Sequence, residues 1–274
     1  MAKKKPLILV TNDDGITSHG IVALVEAVSE LGDVIVVAPD KSQSGVGHAI
    51  TINSTLRINK TNIHKVSEEY SASGTPVDCV KLALNKILSR KPDLCVSGIN
   101  HGSNISINVI YSGTMSAAIE GAIHGMPSIG FSLMDYSIDA DLSASKEIAK
   151  LLCMKILNHG LPKDICLNVN IPPLKLSEIK GIKVCRQARA SWIEKFDERK
   201  DPSGHSYYWL TGEFINFEDG KRDTDVWAVK NNFVSVVPVQ FDLTEHSSIS
   251  KIAKWNLELT SMNPNSAKKK KNEE

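Results

Sequence analysis

Between Pro6 and Leu133, short runs of aliphatic and β-branched residues alternate with segments whose apolar residues recur at helical spacing, and this alternation narrows the fold more than any other feature. Strands that arrive singly between helices must be joined by crossovers, which build a mostly parallel, doubly wound α/β sheet. The run Leu7-Ile8-Leu9-Val10-Thr11 is apolar at successive positions, so it predicts a strand buried on both faces. Ile21, Val22, Leu24, Val25, Val28 and Leu31 then mark a helix over residues 19–31, stopped by Gly32. A second buried strand follows over residues 34–38. Thr75-Pro76, with Asp78 in the first turn, is a helix start, and that helix is expected to run to about residue 88, where Lys91-Pro92 breaks it. Leu94-Cys95-Val96 predicts a strand, residues 98–111 a loop, 114–124 a helix rich in small residues and 128–133 a strand.

The second half changes character. After a helix over about residues 143–158 and a strand over 165–171, residues 183–214 carry aromatic and charged side chains in strand-like runs, Tyr207-Tyr208-Trp209 among them. They predict a projecting β-ribbon, either an oligomerisation arm or a simple edge hairpin. Residues 1–258 are expected to form one domain and 259–274 a basic, solvated tail.

Composition bounds the function. The 32 basic and 31 acidic residues give a net charge of +1, so no global field favours duplex nucleic acid or an anionic membrane, and a small-molecule partner is expected. Five cysteines, Cys79, Cys95, Cys153, Cys166 and Cys185, are widely spaced without a C-x-x-C and read as reduced core thiols of a cytoplasmic protein. Lys3-Lys4-Lys5 precedes an apolar run too short for a signal peptide or membrane span.

The chemistry gathers where strands end. Asn12-Asp13-Asp14-Gly15 follows the first strand, at the sheet edge where α/β folds place their ligands. Adjacent carboxylates repel and stay ionised together most readily beside a cation, although Asp-Gly is also a common turn. The second strand leads into Asp40-Lys41-Ser42-Gln43-Ser44-Gly45-Val46-Gly47-His48, and a third into Ser97-Gly98-Ile99-Asn100-His101-Gly102-Ser103-Asn104. Carboxylate, hydroxyl and amide oxygens without thiolates or paired imidazoles suit a hard cation, Mg²⁺ or Mn²⁺, rather than zinc. Tyr111-Ser112-Gly113-Thr114 opens a helix and offers free amides, hydroxyls and a positive dipole end to an anion; by itself it is also a sound N-cap. A P-loop, an H-E-x-x-H zincin motif, a G-x-S-x-G elbow and the D-x-D-x-T pattern of haloacid-dehalogenase-type phosphatases are all missing.

In order and spacing, these stretches resemble the SurE family of 5′/3′-nucleotidases. The likeness continues through Gly74-Thr75-Pro76-x-Asp78-Cys79, Asn168-Val169-Asn170-Ile171-Pro172, Thr224-Asp225 and Asp242-Leu243-Thr244, over roughly residues 7–258. The resemblance implies one divalent metal ion per subunit on Asp13, Asp14, Ser44 and Asn100, and phosphate contacts at Gly45, Asn104, Ser112, Gly113 and Thr114. It further implies a Rossmann-like sheet, a C-terminal β-arm swapped between subunits, homodimers or homotetramers, and hydrolysis of nucleoside monophosphates, in some members also of short polyphosphate. Two departures stand out: His101, where the family tends to a small residue, and Asn231-Asn232-Phe233, where it tends to a glycine before an aromatic. His101 reads as an exposed loop histidine or as a group that alters access and leaving-group contacts.

The expected mechanism is in-line attack by a metal-activated water. Asp13 is assigned mainly as a ligand, Asp14 as a ligand that also orients or deprotonates the water, and His48 as a candidate general acid whose alternative is loop stabilisation. The competing class is a metal-dependent nucleotide-binding sensor that never turns its ligand over.

Overall fold

The structure, a computed structural model, describes residues 5–255 and Leu257, so the expected tail at 259–274 lies outside the described residues. In chain order the elements are β1 (Leu7–Thr11), α1 (His19–Val28), β2 (Asp33–Pro39), β3 (Ile58–Lys60), β4 (Glu68–Ala72), α2 (Pro76–Leu82), β5 (Leu94–His101), α3 (Gly113–Ile123), β6 (Ser128–Leu133), α4 (Ser143–His159) and β7 (Ile165–Ile171). They continue with β8 (Ile182–Val184), β9 (Ala190–Lys200), β10 (Ser206–Asn216), α5 (Asp225–Lys230), β11 (Val234–Gln240) and α6 (His246–Ala253). The chain divides after Phe241 into two compact units, and α6 belongs to the second.

In the larger unit nine strands form one sheet in the order β3-β4-β2-β1-β5-β6-β7-β11-β8. The six strands from β4 to β7 are parallel throughout. Only β3 and β11 run against their neighbours β4 and β7. The expected α/β, mostly parallel architecture is therefore the one found.

The unbroken apolar run of β1 has a direct physical reading, because the strand feeds two cores at once. Ile8 and Val10 pack with Leu24, Val28 and Ile148 under α1 and α4, while Leu9 packs with Cys79, Val80 and Ala117 under α2 and α3. A strand buried on both faces has no polar alternate positions to show. All five cysteines are buried and unpaired by disulfides, and burial pushes the Cys95 and Cys166 thiols up to about 12.

Three elements differ from expectation. The helix starting at Pro76 has the expected capping box between Thr75 and Asp78, but it widens after Leu82 into a π-helical turn over Ala83–Ile87. Residues 98–101, expected in a loop, continue β5 through a register shift between Ser97 and Asn100, with Gly98 at a φ of 123° that favours glycine. Asn100 and His101 therefore stand on the end of a strand. The projecting ribbon is the antiparallel pair β9–β10, and residues 183–184, expected in it, belong instead to β8 at the edge of the main sheet.

Asp225, at the start of α5, shows how the second half is fixed to the first. Its buried carboxylate accepts the amides of Ser106 at 2.8 Å and Ala188 at 2.9 Å, tying the segment after β5 to the root of the ribbon. Replacing Asp225 by alanine leaves these amides unsatisfied, and urea unfolding should show about 3 kcal/mol of lost stability. Just after α5, Asn232 takes a φ of 70°, a conformation that asparagine tolerates better than most residues, which accounts for an asparagine where a glycine is expected.

Candidate active site

The parallel strands reverse their order of addition between β1 and β5, and in open α/β sheets ligands lodge outside the carboxyl ends at such a reversal. The turn carrying Asp13 and Asp14 leaves β1 at this point, and Asn100 ends β5 beside it. Asn12 closes the turn by donating from Nδ2 to the Gly15 carbonyl at 2.9 Å and to Ser18 Oγ at 2.8 Å. The amide of Gln43 donates to the Asp13 carbonyl at 2.7 Å, which pulls the loop after β2 against the turn after β1. The loops after β1 and β2 thus meet by backbone hydrogen bonding before any ligand is considered.

Asp13 is 4% exposed and sits against the start of α3. Its Oδ1 accepts the Thr114 hydroxyl at 2.5 Å. Gly113 passes so close that a Cβ there would lie 2.7 Å from Asp13 Cβ. Burial, and secondarily the charge of Asp14, push the Asp13 carboxyl up to about 6 against the hydrogen bonds from Thr114. Asp14 Oδ2 faces the His101 backbone amide at 3.5 Å and its Nδ1 at 3.6 Å.

A cleft of about 420 Å³ opens over this pair, walled by Asp13, Ser44, Gly45, Asn100, Asn104 and Ser112 among others. These are six of the nine residues expected to bind metal or phosphate. The other three lie off the wall: Asp14 stands against His101, and Gly113 and Thr114 back Asp13 from behind. The Thr114 hydroxyl, expected to face an anion, is spent on Asp13, while Ser112 Oγ caps α3 through the Met115 amide at 3.0 Å.

Asn104 is held by a buried network that the sequence reading did not assign to the site. Its amide donates to Asn170 Oδ1 at 2.8 Å and its Nδ2 to Ser132 Oγ at 2.7 Å, while Asn168 Nδ2 donates to its carbonyl at 2.8 Å. The available signal was two asparagines at alternate positions of a buried strand, since buried amides need partners of their own kind.

The two histidines lie in different surroundings. His101, expected to be exposed, keeps a side chain only 12% exposed on the cleft wall because Asp14 draws its ring inward, and its Nε2 is buried without a partner. His48 is not on the wall. Its Nε2 lies 2.9 Å from the buried carboxylate of Glu120, which also receives Lys81 Nζ at 2.5 Å and His124 Nε2 at 3.0 Å. Burial opposes that charge, but the hydrogen bonds and charges of His48 and Lys81 prevail and hold the Glu120 carboxyl down at about 2. His48 therefore anchors the loop that bears Ser44 and Gly45.

The donor set fits a hard divalent cation. It consists of two carboxylates, one hydroxyl and an amide oxygen on Asn100, whose Nδ2 is already committed to the Gly102 carbonyl at 2.9 Å. Two further observations agree: a buried Asp13 carboxyl strained by its neighbour, and an Asn12 Oδ1 buried without a hydrogen-bond partner. Among the described residues no group of three or more His, Cys, Asp or Glu side chains is placed to hold a metal ion.

The chain is similar to known proteins over most of its length. The sequence profile of the family described as "Survival protein SurE" matches residues 8–194, which include every residue of the cleft wall. A "5′-nucleotidase SurE" of Christiangramia forsetii is 62% identical over 94% of this chain and 99% of its own length. Another of the same name, from Flavobacterium psychrophilum, is 60% identical over 92% of this chain and 98% of its own. The crystal structure of the SurE protein from Aquifex aeolicus superposes with a TM-score of 0.80 at 42% identity, covering 92% of this chain and all of that one. Likeness of this extent, over the same strands and loops that form the cleft, establishes that the chain belongs to the SurE family.

Proposed function

We propose that the chain is a 5′-nucleotidase, a phosphomonoesterase that converts nucleoside 5′-monophosphates, together with 3′-monophosphates and short polyphosphate, to phosphate with the help of one Mg²⁺ or Mn²⁺ per subunit. The observation that carries this reading is the Asp13–Asp14 pair at the sheet's reversal point, pressed against the N-terminus of α3. The relatives named 5′-nucleotidase support it.

In this reading Asp13, Asp14, Ser44 and Asn100 hold the cation, which when bound supplies Lewis acidity to a phosphate oxygen. Asp14, to the side of the cleft, orients the attacking water and takes its proton. Gly45, Asn104 and the amides opening α3 hold the equatorial oxygens as charge develops on them. Ser132, Asn168 and Asn170 contribute by holding Asn104. Trapping a phosphoryl-aspartate during turnover would replace water attack by covalent catalysis.

The experiment is phosphate release from a panel of 5′- and 3′-monophosphates and tripolyphosphate in the presence of Mg²⁺ or Mn²⁺. Release from 5′-monophosphates is expected; retained nucleotide binding without release would make the protein a sensor instead. His48→Ala should raise KM about tenfold with a smaller change in kcat, because it frees the Ser44–Gly45 loop, and His48→Gln, which can still donate to Glu120, should restore most of the loss. A loss confined to kcat, with a displaced pH profile, would return His48 to general acid.

Assembly as a homodimer or homotetramer is assigned to the ribbon, where Phe196, Tyr208, Trp209 and Leu210 expose large apolar side chains. Among the described residues no helix is long and apolar enough to cross a membrane, and the proposed location is the cytoplasm.

A further inference from the structure

Residues 40–57 cross from β2 to β3 without helix or strand, and they carry Ser44 and Gly45 to the cleft. Apolar burial does not hold this loop, since Ile50 and Ile52 are both exposed. Its tip is seated by two amides, Gln43 donating to the Asp13 carbonyl at 2.7 Å and Gly47 to the Tyr111 carbonyl at 3.2 Å. Its foot meets the start of α2, where the stretch Gly74-Thr75-Pro76-x-Asp78 has so far had no part in the reaction.

A capping box asks two bonds of this stretch, and both are present: Asp78 Oδ2 accepts the Thr75 amide at 3.0 Å, and Thr75 Oγ1 accepts the Asp78 amide at 3.1 Å. The same two side chains also reach the loop. Asp78 Oδ2 accepts the Thr51 hydroxyl at 2.6 Å and Oδ1 the Thr51 amide at 3.1 Å, while Thr75 Oγ1 donates to the Ala49 carbonyl at 2.7 Å. Asp78 is 2% exposed, and it packs so closely that a Cβ on Gly74 would lie 2.7 Å from its Oδ2. Bonds to a buried carboxylate are strong because breaking one leaves the charge short of a donor. With His48 on Glu120 of α3 as well, the foot of the loop is tied to both helices.

We propose that Asp78 is a positioning residue for phosphate release: by holding Thr51 it latches the foot of the loop and so sets the reach of Ser44 and Gly45 into the cleft. The proposal rests on the nucleotidase reading, in which Ser44 holds the cation and Gly45 a phosphate oxygen. It gives the stretch from Gly74 to Asp78 a function besides starting a helix.

Thr51→Val tests it, because this change removes the hydroxyl and leaves the capping box of α2 intact. In the metal-free chain, hydrogen exchange at the Gln43 and Gly47 amides should quicken about tenfold, as for the loss of one hydrogen bond to a carboxylate. Calorimetric titration with Mn²⁺, without substrate, should give an affinity about tenfold weaker, and KM for 5′-AMP should rise by a similar factor with a smaller change in kcat. Thr51→Ser, which keeps the hydroxyl, should restore most of each loss. Native exchange at the two amides in Thr51→Val overturns the latch, as does a native Mn²⁺ affinity; a lowered melting temperature beside either result would leave Thr51 a structural contact only. Failure of the nucleotidase reading is separately visible as no phosphate release by the native chain, and amide exchange still decides the latch in that case.

Discussion

Asp13→Asn should lower metal-dependent phosphate release by about 10²–10³-fold while the protein stays folded. Asparagine keeps the shape of the side chain and an Oδ1 that can still accept the Thr114 hydroxyl, now at 2.5 Å. What it removes is a charge that the buried site opposes, since burial and Asp14 both raise the Asp13 carboxyl. The metal-free variant should therefore melt at the same temperature as the native chain or slightly higher, because an unfavourable buried charge has gone. The native chain should gain stability when Mn²⁺ is added, and the variant should lose most of that gain. Steady-state phosphate release paired with thermal melts, each with and without metal, checks both halves. Substantial retained activity would remove Asp13 from the ligand set.

The second large effect is expected at Gly113. A Cβ at this position would sit 2.7 Å from Asp13 Cβ, 3.2 Å from its Cγ and 3.0 Å from its Oδ2. The nearest atom belongs to the base of a buried side chain at the end of a central strand, so relief requires movement of the Asp13 turn or of α3 itself. Either displaces a proposed ligand from the start of the helix. Gly113→Ala is expected to cost about 10²-fold in kcat/KM, in line with a misplacement of about 1 Å in a preorganised site, and about 1–3 kcal/mol in urea unfolding. Near-native activity would mean that the contact between α3 and Asp13 does not set the geometry of turnover.

Legibility followed burial. β1 and β2 were readable because a strand covered on both faces is apolar along nearly its whole length, and β6 and β7, whose apolar residues are interrupted by serines and asparagines, lie where expected. β4 was not readable: Glu68 and Glu69 interrupt it, and Glu69 is buried only because Thr61 Oγ1 and the amides of Ile63 and His64 satisfy its carboxylate. Such a strand is held by partners that local pattern does not reveal. β8 has three residues and depends on pairing with β11, a contact across about fifty residues of sequence.

At the site, the oxygen-bearing turns were legible because they follow strands that announce themselves. Their mutual roles were not. That Thr114 faces Asp13, that His48 turns to Glu120 and that Asn104 rests on Asn168 and Asn170 depend on distances between segments 64 to 101 positions apart. The separation of ligand from support is a tertiary property, visible in the Thr114 hydroxyl turned to Asp13 and the His48 ring turned to Glu120.

The claim that most needs testing is that Asp13 and Asp14 act by holding a cation. The direct measurement is phosphate release from 5′-AMP by the chelated full chain, before and after Mn²⁺ or Mg²⁺ is restored. Activity that is lost on chelation and returns with either ion is the predicted result; full activity in the chelated protein would contradict the account.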